Sequence, residues 1–240
     1  MVLTPNIQGA LLMTGAMTAF TINDAFMKLL GDHLPFFQLL FLRSLAVFVL
    51  LGAVAWRARA FSVRMSRRDK GLVGVRTLAE VGAAYFFLNA LFNLPIANVT
   101  AILQALPLTV TLAAMIVFKE QVGWKRFVAI GIGFVGVIMI VRPGSDGFTI
   151  YSVYALLAVL LVTVRDLASR RLAHEVPSLV VAFAAVVGVL VFSSVGAGFV
   201  TWKPMAVLDF VYLGVAVFAI IGGYLFSVMA MRVGDCLLYT

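Results

Sequence analysis

Two ionisable residues, Arg43 and Glu80, each fall eight positions inside an apolar run, counted from Pro35 and Leu72. At about 1.5 Å of helix rise per residue, each lies about 12 Å from the start of its run. The runs are consecutive and antiparallel, so both charges reach the middle of a lipid layer. There an ionisable group costs about 2.5–3.5 kcal/mol and needs a partner or water. An Arg43–Glu80 pair would neutralise both and leave guanidinium donors for an anionic or polar ligand. The same pair could equally be structural, or Glu80 could bond Arg76 one turn away.

The first apolar run carries Thr14, Thr18, Thr21, Asp24 and Lys28 at spacings of 4, 3, 3 and 4. These spacings keep them within about 120° of helical arc. Lipid penalises such a face, so it should look into the bundle or a water-filled cavity. Asp24 is the candidate for a proton or cation site, with Lys28 as its i, i+4 partner. The alternative is a simple ion pair at the outer end of the span. In the fourth run Thr100, Gln104, Pro107 and Thr111 share a narrow arc. Pro107 removes one helical hydrogen bond and crowds the carbonyl of Leu103, which predicts a kink and a free acceptor near the midplane. The substrate-binding candidates are therefore Arg43, Glu80, Gln104 and Thr111, and the coupling candidates are Asp24, Lys28 and Glu80.

Other patterns carry less. Gly131-x-Gly133-x-x-Gly136 spells a dinucleotide fingerprint, but no strand precedes it and no acidic residue follows about 20 positions on. With Ala129 it reads as small-xxx-small spacing for helix packing. Asn98-Val99-Thr100 is a formal glycosylation acceptor in a turn too tight against the membrane. His33 and His174 fall in connecting loops and read as solvated. Arg165-Asp166 reads as either a gate pair or an interfacial anchor. No nucleophile with a base and no metal-ligating cluster is visible at membrane depth, so the sequence points away from an enzyme and implies no cofactor.

The elements that hold these residues follow from composition. Of 240 residues 63% are hydrophobic and 12% charged, and mean hydropathy is +1.11, far from the balance of a soluble domain. The single cysteine excludes an intrachain disulfide. Eight windows are apolar enough to span a bilayer: 7–30, 35–56, 72–94, 97–118, 127–141, 149–168, 177–200 and 206–231. Net charge is +8, but the basic residues sit in short gaps rather than on one face, which argues against nucleic acid. Thirteen of the 18 Lys and Arg fall in the gaps 57–70, 119–126, 165–171 and at Arg232, all on one side. The positive-inside rule makes that side, and the N-terminus, cytoplasmic.

A shift of 142 positions lays Asp24 on Asp166, Lys28 on Arg170, Leu30 on Leu172 and Pro35 on Pro177. Further on, Tyr85-Phe86-Phe87 matches Tyr224-Leu225-Phe226 at a shift of 139. Five spans separate the copies, so the second crosses in the opposite direction, as in the inverted repeats of secondary transporters. The expected design is an all-α, polytopic membrane bundle of two inverted five-helix repeats, residues 1–141 and 142–240. The second repeat holds only three helices, so eight of an expected ten are present. A non-transporting fragment or membrane interaction subunit is the rival reading.

Several stretches resemble the EamA-like branch of the drug/metabolite transporter superfamily. They are Ala19-Phe20-Thr21-Ile22-Asn23-Asp24 with Lys28, Pro35 and Leu42-Arg43, then Leu106-Pro107-Leu108-Thr109, Phe118-Lys119-Glu120, residues 131–137, and Ala230-Met231-Arg232-Val233-Gly234-Asp235. The resemblance implies ten helices with cytoplasmic termini in a bacterial cytoplasmic membrane. It also implies transport of small organic metabolites by alternating access without an ATPase domain, and it leaves room for a homodimer. Residues 1–60 are similar to members described as riboflavin or S-adenosylmethionine uptake carriers. The pattern departs at Cys236 to Thr240, where the family continues with two more helices.

Overall fold

The computed structural model describes residues 5–58, 60, 65–119, 123–141, 149–173 and 175–233. Nine helices form among them: α1 (Pro5–Gly31), α2 (Phe36–Arg57), α3 (Arg67–Asn93), α4 (Ile96–Leu103), α5 (Leu106–Phe118), α6 (Trp124–Val141), α7 (Ile150–Arg170), α8 (Ser178–Ala197) and α9 (Val207–Val233). No strand occurs among the described residues. His174, Glu120 and Gly234 to Thr240 lie outside them.

The eight apolar windows become eight helical rods, the fourth split into α4 and α5. Gln104 and Ala105 form the break, and Pro107 stands in the first turn of α5. This is the interruption the proline predicts, since Pro107 has no N–H to offer the Leu103 carbonyl. Prolines also open three other helices: Pro35, Pro95 and Pro177 are the N-caps of α2, α4 and α8. The N-terminus of α3 is closed by Ser66, whose Oγ accepts from the Asp69 N–H at 3.1 Å. At the end of α5 Lys119 takes a left-handed φ of 55°, which stops the helix.

Six helices are long and apolar enough to cross a membrane among the described residues: α2, α3, the Ile96–Phe118 rod, α7, α8 and Val207–Phe226 of α9. Helix α6 holds a shorter apolar stretch, Phe127–Met139. The chain is a multi-pass membrane protein.

The helices pair in a definite order. The most extensive contacts are α1 with α9, α3 with α7, and α2 with α8, followed by α3 with α8 and α5 with α7. Helices in lipid gain little from apolar burial and depend on close packing instead. Gly188 of α8 lets Thr77 of α3 approach its backbone, and Gly223 of α9 leaves room for the Phe20 ring. In α6 only Gly133 works this way, against Leu108; Gly131 and Gly136 face open space and Ala129 is exposed, so the small-residue stripe is one packing glycine rather than a seam. Two apolar clusters fill the interior. One joins Met27, Leu30, Leu39, Leu40, Leu88, Leu213 and Val217 from α1, α2, α3 and α9. The other joins Ala90, Val99, Ile102, Ala155 and Val159 from α3, α4 and α7.

Residues within or beside three of the basic gaps meet at one end. The Ala173 N–H donates to Asp69 Oδ1 at 3.4 Å, joining the start of α3 to the segment after α7. Arg171 lies 5.2 Å over the Phe118 ring and donates to the Val117 carbonyl, adding the end of α5. The opposite end is held by a separate set. Gln38 donates to the Lys203 carbonyl at 2.8 Å and accepts from the Lys203 N–H at 2.9 Å. His33 Nε2 lies 3.0 Å from Asp209 Oδ1. His33 is therefore a paired residue at a helix–helix junction, not merely a solvated one.

Candidate functional site

A polar cluster sits between the two ends. Arg165 of α7 donates from Nη1 to Glu80 Oε2 of α3 at 3.3 Å and from Nε to its neighbour Asp166 at 2.9 Å. The Tyr224 hydroxyl of α9 donates to the other Glu80 oxygen at 3.3 Å. The Phe20 ring of α1 backs Tyr224 in a T-shaped contact at 5.6 Å. Arg43 of α2 lies within electrostatic range of Asp24, Glu80 and Tyr224. Five helices, α1, α2, α3, α7 and α9, thus contribute charge or hydroxyl to one region. By helix rise Glu80 is about 16 Å from the Asp69 end of the bundle, and Asp24 and Arg43 are each about 10 Å from the other, which is mid-depth for a core about 30 Å thick.

Asp24, Arg43 and Glu80 do come together here, but not in the pairs that their spacing suggests. Glu80 bonds neither Arg43 nor Arg76. Consecutive helices α2 and α3 both pack on α8, so the acid turns toward α7 and finds Arg165. Arg76 is used elsewhere, donating to Ser169 Oγ at 2.9 Å and to the Val181 carbonyl at 3.3 Å. Lys28 does not pair with Asp24. Its Nζ donates to the Leu91 and Leu94 carbonyls, both at 2.6 Å. Those are unsatisfied acceptors at the C-terminus of α3, the negative end of a helix dipole, and they attract the ammonium. Asp24 instead accepts from Asn23 Nδ2 at 2.9 Å. Asn23 is 2% exposed and its Oδ1 has no hydrogen-bond partner among the described residues.

The threonine faces are self-satisfied. Thr14, Thr18 and Thr21 donate to the carbonyls of Ala10, Thr14 and Met17, four residues back. Thr100 and Thr111 do the same to Ile96 and Pro107, and Gln104 is exposed. Gln104 and Thr111 therefore stand on the α4–α5 rod apart from the charge cluster. The hydroxyl that does link this rod to a neighbour is Thr109, 2.7 Å from Thr163 of α7. Tyr224 and Arg165 are the functional candidates that spacing alone leaves unassigned. Tyr224 was visible only as the repeat image of Tyr85, and Arg165 only as a charge beside Asp166.

Ionisable groups at mid-depth in a membrane-embedded bundle mark a candidate functional site. The EamA-like transporter family matches residues 7–142, more than half of the chain. The chain belongs to that family. It is similar to an S-adenosylmethionine uptake transporter of Rickettsia prowazekii, 24% identical over 157 residues that cover 65% of this chain and 52% of the relative. A riboflavin transporter of Brucella anthropi is 32% identical over 88 residues, covering 37% of this chain and 31% of the relative. The pseudopaline exporter CntI of Pseudomonas aeruginosa is 26% identical over 189 residues, 75% of this chain and 65% of the relative. The chain spans about half, or less, of the length of the first two of these curated relatives. No solved structure matches it significantly.

Proposed function

We propose that the protein is a secondary-active carrier of small organic metabolites, working by alternating access between two inverted halves, residues 1–141 and 142–240. The observation that carries this reading is the mid-depth cluster of Asp24, Arg43, Glu80, Arg165 and Tyr224, built from both halves. Helix pairing supports the halves. An inverted repeat exchanges α1 with α7, α2 with α8 and α3 with α9. Under that exchange the α1–α9 contact becomes α7–α3, and α2–α8 maps onto itself, which are the three most extensive pairings.

In this reading Arg43 supplies the donor for an anionic or polar group of the substrate, because its charge is balanced at range rather than consumed by a close ion pair. Asp24 and Glu80 are the protonatable groups for coupling. The basic end faces the cytoplasm. The named relatives extend the reading to metabolites of the riboflavin and S-adenosylmethionine kind, and they include both uptake and export.

The test is a ligand-stabilisation screen on the purified full chain, repeated on Arg43→Ala and Glu80→Ala. A ligand that raises the unfolding temperature of the parent should lose at least tenfold in affinity in Arg43→Ala. Equal affinity in parent and both variants would remove the cluster as the site. Coupling is read in vesicles: collapsing the proton gradient should stop accumulation, and undiminished uptake without a gradient excludes it.

A further inference from the structure

Helices α2 and α3 both lean on α8, and between them lies an open groove of about 390 Å³ lined by Phe37, Val81, Gly82, Tyr85 and Phe192. That volume lies within the range of small-molecule sites. Three of the five lining residues are aromatic, and their rings are set at steep angles. The Phe192 ring meets Tyr85 at 5.9 Å and 88°, and meets Phe37 at 5.8 Å and 60°. Tyr85 is further braced by Phe36 at 5.6 Å and 80°. Gly82 contributes backbone to the wall, its Cβ side being turned to Leu161 of α7.

A corner of mutually steep rings offers a flat guest one face contact and further edge contacts, the arrangements that aromatic quadrupoles favour. A flexible acyl chain gains only area from the same walls. The Tyr85 hydroxyl makes no hydrogen bond among the described residues, so the corner also holds a polar handle suited to a ring heteroatom. Phe36 touches Tyr85 and lies on the same face of α2 as Arg43, about 10 Å of helix rise before it.

We infer that this groove seats a flat heteroaromatic ring of the transported molecule, with Phe37, Tyr85 and Phe192 as its walls. The inference rests on the carrier reading and adds the place where a ring of the cargo is held. None of these three residues was singled out by sequence as a ligand contact.

The probe is lumichrome, a neutral flat three-ring heteroaromatic, titrated into the purified full chain and followed by fluorescence anisotropy. Saturable binding is expected. Phe192→Leu and Tyr85→Leu, which keep an apolar wall and remove the ring, should each weaken it about two- to tenfold, with Tyr85→Phe weakened less than Tyr85→Leu. Thermal unfolding of each variant shows that it is folded. Absence of saturable binding to the parent, or parental affinity in both folded leucine variants, overturns the inference. So does displacement of the dye by dihexanoyl phosphatidylcholine with an affinity that the leucine variants leave unchanged, because the groove would then belong to an acyl chain. Flux plays no part in this readout. Uptake lost with ring binding intact counts against the carrier reading alone. Ring binding lost while Arg43-dependent ligand stabilisation persists counts against this groove alone.

Discussion

Asn23-Asp24 on α1 and Arg165-Asp166 on α7 stand 142 positions apart, and the first member of each pair donates to the second at 2.9 Å. Beyond that shared bond they differ. Arg165 has a second arm that reaches Glu80 and ties α7 to α3. Asn23 is neutral and too short to reach across, so its buried Oδ1 is left without a partner among the described residues and Asp24 answers to Arg43 only at range. One copy of the device bridges two helices and the other does not.

The largest effect is expected from cutting the Arg165–Glu80 link. Arg165→Ala leaves Glu80 with one hydrogen bond from Tyr224 and no close counter-charge. Losing one partner of a buried pair costs about 3–5 kcal/mol, and partial exposure of both groups brings the expectation toward about 3. Asn23→Ala should cost less, about 1.5 kcal/mol, the low end for a hydrogen bond to a carboxylate. Thermal unfolding in detergent reads both, and equal losses would erase the asymmetry. The double variant Arg165→Ala, Glu80→Ala should recover most of the single loss, since it removes the stranded charge together with its partner.

A second contrast comes from the next pair in the repeat. Lys28 caps the α3 carbonyls, whereas its image Arg170 is exposed. Lys28→Met should lower stability by about 1–2 kcal/mol, and Arg170→Met by less than about 0.5. Comparable effects would mean that the cap contributes nothing beyond an ordinary surface charge. The third and smallest contrast is between the repeated tyrosines. Tyr224→Phe removes a hydrogen bond to a carboxylate and should cost about 1 kcal/mol, while Tyr85→Phe should leave stability unchanged. A loss at Tyr85 equal to that at Tyr224 would place a structural partner on the Tyr85 hydroxyl and sharpen the contrast away.

Much of the bundle is legible in the residues themselves. The window 97–118 folds as a helix broken beside Pro107, and Asp69, Arg171 and Phe118, within or beside three of the basic gaps, meet at one end. Membership of the polar cluster is partly legible. Arg43, Glu80 and Asp24 are conspicuous because a charge inside an apolar run has no local explanation. Their partners are not, because adjacency in sequence suggests α2 against α3, while in space both rest on α8. Lys28 misleads for a similar reason: an i, i+4 acid is visible along the chain, but the carbonyls that end α3 compete for the ammonium and are 63 and 66 residues away.

What the sequence determines here is whatever each residue pays or gains against lipid on its own. Hydropathy, proline breaks and the sidedness of charge are sums over one segment, so span positions, the split at Pro107 and the basic end follow directly. Which acid meets which base, which helix end captures a lysine, and which rings frame a groove depend on how the helices cross. That order is set by close packing at a few small residues such as Gly188 and Gly223. The geometry of those crossings has no signature in any single stretch of the chain, and only the assembled bundle decides it.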